Sequence, residues 1–303
     1  MFIIFIFIKA ETTQREQIIM GTFTSITLQS KQEQNISHGF KLLKEIEHSL
    51  SSYNKHALLY QLNQNKTVKA DKYLLESIQK SQVFYTKSNG FFNITIGSIT
   101  KKLYNFGEDE KIPSQKALKS ANTNISGIHI KKNIITLDKN TTLDLGGMGK
   151  GYGVDKVANY YREQNISYGL IALSGDIQAL HPTTIYIDSP FKEKPFAKLQ
   201  TLHPNISIST SGTYRRYVKS KKHHHLINPK IKKQGRSFVS ITLITKQNNT
   251  LIDAMATAIG VMSEKEALGF LVNNPHIAYV LVKPNGHIIY GNFAELVRIK
   301  WLK

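Results

Sequence analysis

Ile277-Ala278-Tyr279-Val280-Leu281-Val282-Lys283-Pro284-Asn285-Gly286-His287-Ile288-Ile289-Tyr290 decides the fold class. Two apolar runs, Ile277–Lys283 and His287–Tyr290, flank Pro-Asn-Gly, and Asn-Gly tolerates the positive φ of a tight hairpin, so antiparallel pairing is expected here. Upstream, Phe23–Leu28, Gly169–Leu173 and Phe238–Thr245 read as strands. Ile36, Phe40, Leu43, Ile46 and Leu50 recur at helical spacing, as do apolar positions within Asp71–Lys87, Val154–Glu163 and Leu251–Met262. Asn89-Gly90 stops the second of these helices. Helices are interspersed without a regular strand–helix repeat, which points to an α+β fold of mainly antiparallel sheets packed with helices, not a doubly wound parallel sheet.

The 303 residues suit one large domain or two modest ones, and no linker, repeat or transmembrane span marks a boundary. Hydrophobic residues at 41% and charged residues at 20% are ordinary for a globular chain. The formal charge of 40 − 21 = +19 raises the local concentration of anions, whether nucleic acid, a membrane surface or a phosphorylated substrate. The lysines are scattered, and Lys219–Lys222 and Lys230–Arg236 carry no aromatic ladder or zinc-finger spacing, so nucleic acid is not the expected partner. The absence of cysteine excludes disulfides and thiolate chemistry. The apolar run Phe2–Ile8 is far shorter than the roughly 20 residues of a membrane span. Residues 1–10 read either as the remnant of a signal or anchor or as a buried first strand, with the main domain over 11–303.

Three constellations carry chemistry. In Thr142-Leu143-Asp144-Leu145-Gly146-Gly147-Met148-Gly149-Lys150-Gly151-Tyr152-Gly153-Val154-Asp155 an apolar strand enters a glycine-dense turn and then a helix. Close backbone N–H groups, a helix N-terminus and the Lys150 cation would cradle a phosphate or pyrophosphate. It is neither a Walker loop nor a Rossmann fingerprint: Asp144 and Gly151 stand at required Walker positions, and Tyr152 or Val154 where the last glycine of a fingerprint belongs. From the glycines alone, a plain tight strand-to-helix turn is the favoured reading. Asp253 and Thr257, four apart, share one helix face and offer hard oxygens suited to Mg²⁺. Thr250-x-x-Asp253 is, alternatively, a helix-start capping pattern. Finally, in His223-His224-His225 only His223 and His225 would share a side of a strand, so one histidine facing a site as proton acceptor is the economical reading.

Taken in order, these segments resemble the ApbE family of FAD:protein FMN transferases over roughly Met20 to Tyr290. Met20-Gly21-Thr22, Phe92-Asn93-Ile94-Thr95-Ile96-Gly97, Leu143–Tyr152, Leu173-Ser174-Gly175-Asp176, Thr210-Ser211-Gly212, His225-Leu226-Ile227-Asn228-Pro229 and Asp253-Ala254-Met255-Ala256-Thr257 are each similar to a family motif. The resemblance implies a T-fold-like architecture with FAD in a central cleft and magnesium at its pyrophosphate. It implies Asp253, Thr257 and a Gly147 carbonyl at the metal. Met20, Tyr53, Phe92, Asn93, Asp144, Lys150, His225 and Ile227 would stand around FAD, with His225 and Asp253 catalytic. It also implies export to the periplasm, possible peripheral contact with the inner membrane, and acceptor flavoprotein subunits of membrane electron-transport complexes as partners. His225 is the expected general base, since an unperturbed imidazole titrates at about 6.5. FAD hydrolysis to FMN and AMP, and flavin binding without turnover, are the rival activities. The chain departs from the family pattern at Asn93-Ile94, where Asp-Pro is usual, at Asn228, where aspartate is, in Pro229-Lys230-Ile231-Lys232, which lacks the usual Thr-Gly, at Gly149, where alanine is usual, and at Ala57-Leu58, where Ser-Glu is common.

Overall fold

The computed structural model describes residues 11–302; the reading of residues 1–10 as signal, anchor or first strand lies outside them. The chain opens with β1 (Thr12–Ile19) and β2 (Thr22–Gln29), then α1 (Glu33–Leu50), α2 (Leu58–Asn65), β3 (Thr67–Lys69) and α3 (Lys72–Lys87). The short α4 (Gly97–Thr100) and α5 (Gln115–Ser120) precede β4 (Ile128–Lys131), β5 (Ile134–Leu137) and α6 (Gly149–Glu163). Strands β6 (Gly169–Leu173), β7 (Asp176–Ala179), β8 (Thr184–Asp188), β9 (Pro195–Thr201), β10 (Ile206–Gly212), β11 (Ile227–Asn228) and β12 (Lys233–Gln234) follow. The last elements are β13 (Ser240–Thr245), α7 (Asn249–Ile259), α8 (Glu264–Val272), β14 (Ala278–Val282), β15 (Ile288–Gly291) and β16 (Val297–Trp301).

Eight strands form one antiparallel sheet in the order β1-β2-β6-β7-β10-β13-β14-β15. Strand alternation sends successive side chains to opposite faces. One face buries Ile26 and Leu28 of β2 and Ile171 and Leu173 of β6 against Phe40 and Leu43 of α1 and Val154 and Val157 of α6. Leu243 of β13 and Leu281 of β14 meet α7 on the same side. The other face carries Ile206, Ile208, Ile244 and Val280, which meet Ile185, Ile187 and Leu199 from a smaller sheet, β16-β9-β8. The fold is α+β and antiparallel, as the sequence pattern predicts.

Four local readings change. The apolar strand expected at Thr142–Leu145 does not form; Leu143 N donates to Asn63 Oδ1 and Asp144 N to the Ile94 carbonyl, so the segment enters the glycine turn as a loop. Helix α6 begins at Gly149 instead of Val154, although each glycine costs a helix about 1 kcal/mol. Tertiary packing requires it: a Cβ on Gly151 would lie 2.7 Å from the Asn249 carbonyl oxygen of α7. Helix α7 is capped by Asn248, whose side chain accepts from Leu251 N, so Asp253 is not a capping residue. In the β14–β15 hairpin only Gly286 takes positive φ (85°), while its N–H donates to the Lys283 carbonyl. That is a turn with one left-handed glycine, not the Asn-Gly pair that the dipeptide suggested. Strands β1, β3–β5, β7–β10, β12 and β16 have no counterpart in the sequence reading; β1 (TTQREQII) is mostly exposed and polar and shows no apolar alternation.

Candidate functional site

Between the main sheet, α6, α7 and β8 lies a cavity of about 1150 Å³. Met20, Tyr53, Phe92, Asn93, Asp144, Gly147, Lys150, His225, Ile227, Asp253 and Thr257 all line it, so positions spread from 20 to 257 meet in one place. Met20 enters through the β1–β2 turn, where it and Gly21 take φ of 55° and 69°. Such a conformation costs a non-glycine residue on the order of 1 kcal/mol. It is held because Met20 N donates to Glu47 Oε1 at 2.6 Å and the thioether packs on the glycines that begin α6.

The floor is a cation between two carboxylates. Lys150 Nζ stands 2.8 Å from Asp176 Oδ2 and 3.3 Å from Asp253 Oδ2, both carboxylates being buried. Gly151 N donates to Asp253 Oδ2 at 3.0 Å, and Ser209 Oγ donates to Asp176 Oδ1 at 2.6 Å. Burial, helped by Asp176, pushes the Asp253 carboxyl up to about 6, against the pull of Lys150 and Gly151 N–H. Burial alone would lower the Lys150 pKa, but the two carboxylates outweigh it and raise it, so the ammonium stays charged. In sequence Asp176 stands out only as the end of a strand motif and not as a site residue, since its partner Lys150 is 26 positions away, where no spacing rule operates.

One turn of α7 beyond Asp253, Thr257 Oγ1 donates to the Gly147 carbonyl oxygen at 3.2 Å, which joins the helix to the glycine turn. The two helices are also tied at the start of α7, where the Asp155 carboxylate from the middle of α6 accepts from Asn249 N at 2.7 Å and Thr250 N at 2.8 Å. Asp253, Thr257 and the Gly147 carbonyl thus offer hard oxygens at one wall, the donor chemistry Mg²⁺ prefers. Among the described residues no group of three or more His, Asp or Glu side chains is placed to hold a metal, so such an ion would need backbone, hydroxyl and ligand oxygens to complete its shell.

At the other end, Asp144 accepts from Thr100 Oγ1 at 2.6 Å and Gly146 N at 2.9 Å. Burial would raise its pKa, yet Lys101 and Arg216 together with these hydrogen bonds bring it down to about 2. Lys101 Nζ lies 3.5 Å from the Tyr53 ring centroid, and Arg216 bonds the Tyr53 hydroxyl and the Phe106 carbonyl. Asn93 lines the cavity with both ends of its amide engaged. Its Oδ1 accepts from Thr95 N and Oγ1, and its Nδ2 donates to the Thr123 carbonyl at 2.8 Å, a bond that an aspartate could not make. Asn228 is used in the same way, donating to the Val261 carbonyl and accepting from Lys230 N. Both asparagine side chains are thus held by hydrogen bonds within the protein.

The histidine run is not a strand. His223 ends a short 3₁₀ turn, His224 is buried with Nε2 against the Gly235 carbonyl, and only His225 lines the cavity. His225 Nδ1 faces the Arg216 carbonyl at 3.2 Å, so Nδ1 carries the proton and Nε2 keeps a lone pair. Burial, with Arg216, His224 and Lys150 nearby, pushes its pKa down to about 3. The premise of an unperturbed imidazole titrating near working pH is therefore corrected: His225 is neutral and weakly basic.

A model of the ApbE family matches residues 20–281, the span that holds every one of these side chains. The chain belongs to the ApbE family. An FAD:protein FMN transferase of Treponema pallidum is 25% identical over 90% of this chain and 85% of its own length. That of Vibrio cholerae is 26% identical over 80% and 78%. Among solved structures, the ApbE protein of Thermotoga maritima superposes with a TM-score of 0.84 at 19% identity, covering 93% of this chain and 97% of that one. The flavin transferase ApbE from Vibrio cholerae does so at 0.78 and 23%, covering 96% and 97%. At these identities the superpositions establish the ApbE fold, with its antiparallel sheets and packed helices, for this chain.

Proposed function

We propose that this ApbE-family chain is an FAD:protein FMN transferase that moves FMN from FAD to a threonine or serine hydroxyl of another protein and releases AMP. The observation that carries this reading is the buried Lys150–Asp176–Asp253 cluster beside the glycine turn, inside a cavity large enough for a dinucleotide. Lys150, beside the start of α6, suits a pyrophosphate, and the Asp144–Lys101–Arg216–Tyr53 end suits the polar rim of a flavin.

The acceptor oxygen forms a bond to the FMN phosphorus as the bond from that phosphorus to the bridging oxygen breaks, and AMP carries the bridging oxygen away. Such transfers depend chiefly on positioning and charge stabilisation. Lys150 holds the pyrophosphate oxygens in line. Neutral His225, with Nδ1 tied to Arg216, offers Nε2 to orient the incoming hydroxyl. A base with pKa near 3 gains little proton early, so the proton leaves late and passes to solvent. Asp253, Thr257 and the Gly147 carbonyl are the groups that would hold Mg²⁺. When bound it supplies positive charge against the pyrophosphate and the departing AMP.

The reading extends to location and partners: an exported, periplasmic enzyme, in contact with the membrane surface, serving flavoprotein subunits of electron-transport complexes. The apolar run Phe2–Ile8 and the exposed pair Ile18 and Phe23 beside the cavity mouth support it. No helix among the described residues is long and apolar enough to cross a membrane.

Incubation with FAD, Mg²⁺ and a candidate acceptor tests the function. Flavin fluorescence is expected to stay with the acceptor after denaturation while AMP accumulates. Free FMN with unlabelled acceptor would establish hydrolysis instead, and FAD binding without AMP would establish a carrier.

A further inference from the structure

Strand β8 forms the rim of the cavity and has an unused edge. Its residues 185–188 line the same cavity as Lys150 and Asp253. Among the described residues β9 is its only sheet neighbour. In an antiparallel ladder, alternate residues turn both backbone polar groups towards the neighbour, and those between turn theirs away. Thr201 N donates to the Thr183 carbonyl at 2.9 Å, which makes these two a bonded pair. The pairing repeats at Ile185 with Leu199 and at Ile187 with Ala197, so Thr184 and Tyr186 direct N–H and C=O outward. Among the described residues no backbone hydrogen bond from outside β9 reaches residues 184–188. Proteins usually blunt such an edge with charge, proline or cover. Here a bulge lies only after Ile187, Asp188 is the only charged residue, and Tyr186 is 55% exposed above buried Ile185 and Ile187.

The occupant follows from the reaction. A transferase of this kind must bring a protein hydroxyl to a phosphorus beside Lys150, at the floor of the cavity, where a folded surface cannot descend. An extended segment can. The cavity, at about 1150 Å³, also exceeds the roughly 300–1,000 Å³ usual for a small-molecule site, which leaves room beside a dinucleotide. We propose that an extended segment of the acceptor protein adds to β8 as a further strand, bonded through the outward backbone groups of Thr184 and Tyr186. Since side chains alternate along a strand, every second residue of that segment faces the cavity, and the acceptor hydroxyl is one of these. The proposal rests on the reading that the acceptor is a protein.

The test uses the full chain with FAD and Mg²⁺ and a pool of short synthetic peptides, each with a single central threonine. The member that best retains flavin after denaturation serves as probe. Its addition slows hydrogen exchange at the Tyr186 amide about tenfold or more, whereas FAD alone leaves that amide unchanged. Tyr186→Pro removes the outward N–H without touching the β9 ladder and raises the KM for the peptide about tenfold, the worth of one hydrogen bond. Tyr186→Ala keeps the N–H and leaves that KM within about threefold. If Tyr186→Pro fails to fold, the exchange measurement decides alone. Unchanged exchange, an unchanged KM in a folded Tyr186→Pro, or AMP formation with no peptide in the pool labelled would each overturn the docking. A chain that forms no AMP and attaches no flavin to any acceptor would instead overturn the transferase reading beneath it.

Discussion

Replacing Asp253 by asparagine separates the electrostatic cost of the site from its use. Ionised Asp253 is buried beside Asp176, and its folded pKa is raised from 3.8 to about 6. A carboxyl raised in this way contributes stability that is fully present below about pH 3.8 and is lost as pH climbs through about 6. At about 1.4 kcal/mol for each pH unit, the ionised group costs up to about 3 kcal/mol above pH 6, net of its attraction to Lys150. Asp253→Asn keeps an oxygen for Gly151 N–H, leaves Lys150 paired with Asp176, and removes that cost. In EDTA near pH 8 the variant is expected to melt higher by up to about 5 °C for a chain of this length. Near pH 4.5 the difference shrinks to about 2 °C. Added Mg²⁺ should raise the melting temperature of the unmodified protein and leave the variant unmoved, while flavin transfer by the variant is abolished. A variant that melts lower at pH 8 without metal, or a difference independent of pH, would refute the electrostatic account; retained transfer in excess Mg²⁺ would refute the metal assignment.

Thr257→Val removes the hydroxyl that reaches the Gly147 carbonyl and is expected to raise the Mg²⁺ concentration needed for half-maximal transfer about tenfold, with melting lowered by about 1 kcal/mol or less; an unchanged Mg²⁺ requirement removes Thr257 from the metal. Because the His225 pKa is depressed to about 3, the rate profile should show no ascending limb near pH 6.5 that disappears in His225→Gln, and comparing the two profiles checks it.

The fold class was legible because strands and helices announce themselves locally. Leu43 and Ile46 repeat at helical spacing whatever lies beneath them, and Pro284-Asn285-Gly286 turns the chain within its own few residues. Ordered motifs were legible for the same reason, and they drew attention to Lys150, Asp253, Thr257 and His225. Polar β1 shows no apolar period because it is the exposed edge of the sheet, so its existence depends on the partner β2 and not on its own composition. The start of α6 at Gly149 was hidden because helix propensity argues against it, and only the close approach to α7 overrules that argument. Asp176 became a site residue, and His225 a weak base, through neighbours brought from distant parts of the chain. A pKa is set by burial and by the charges within a few ångströms, and neither exists until the sheet has gathered those segments. Composition and period thus settle which elements form and which groups are on hand, whereas folding alone decides which charges face one another across the cavity.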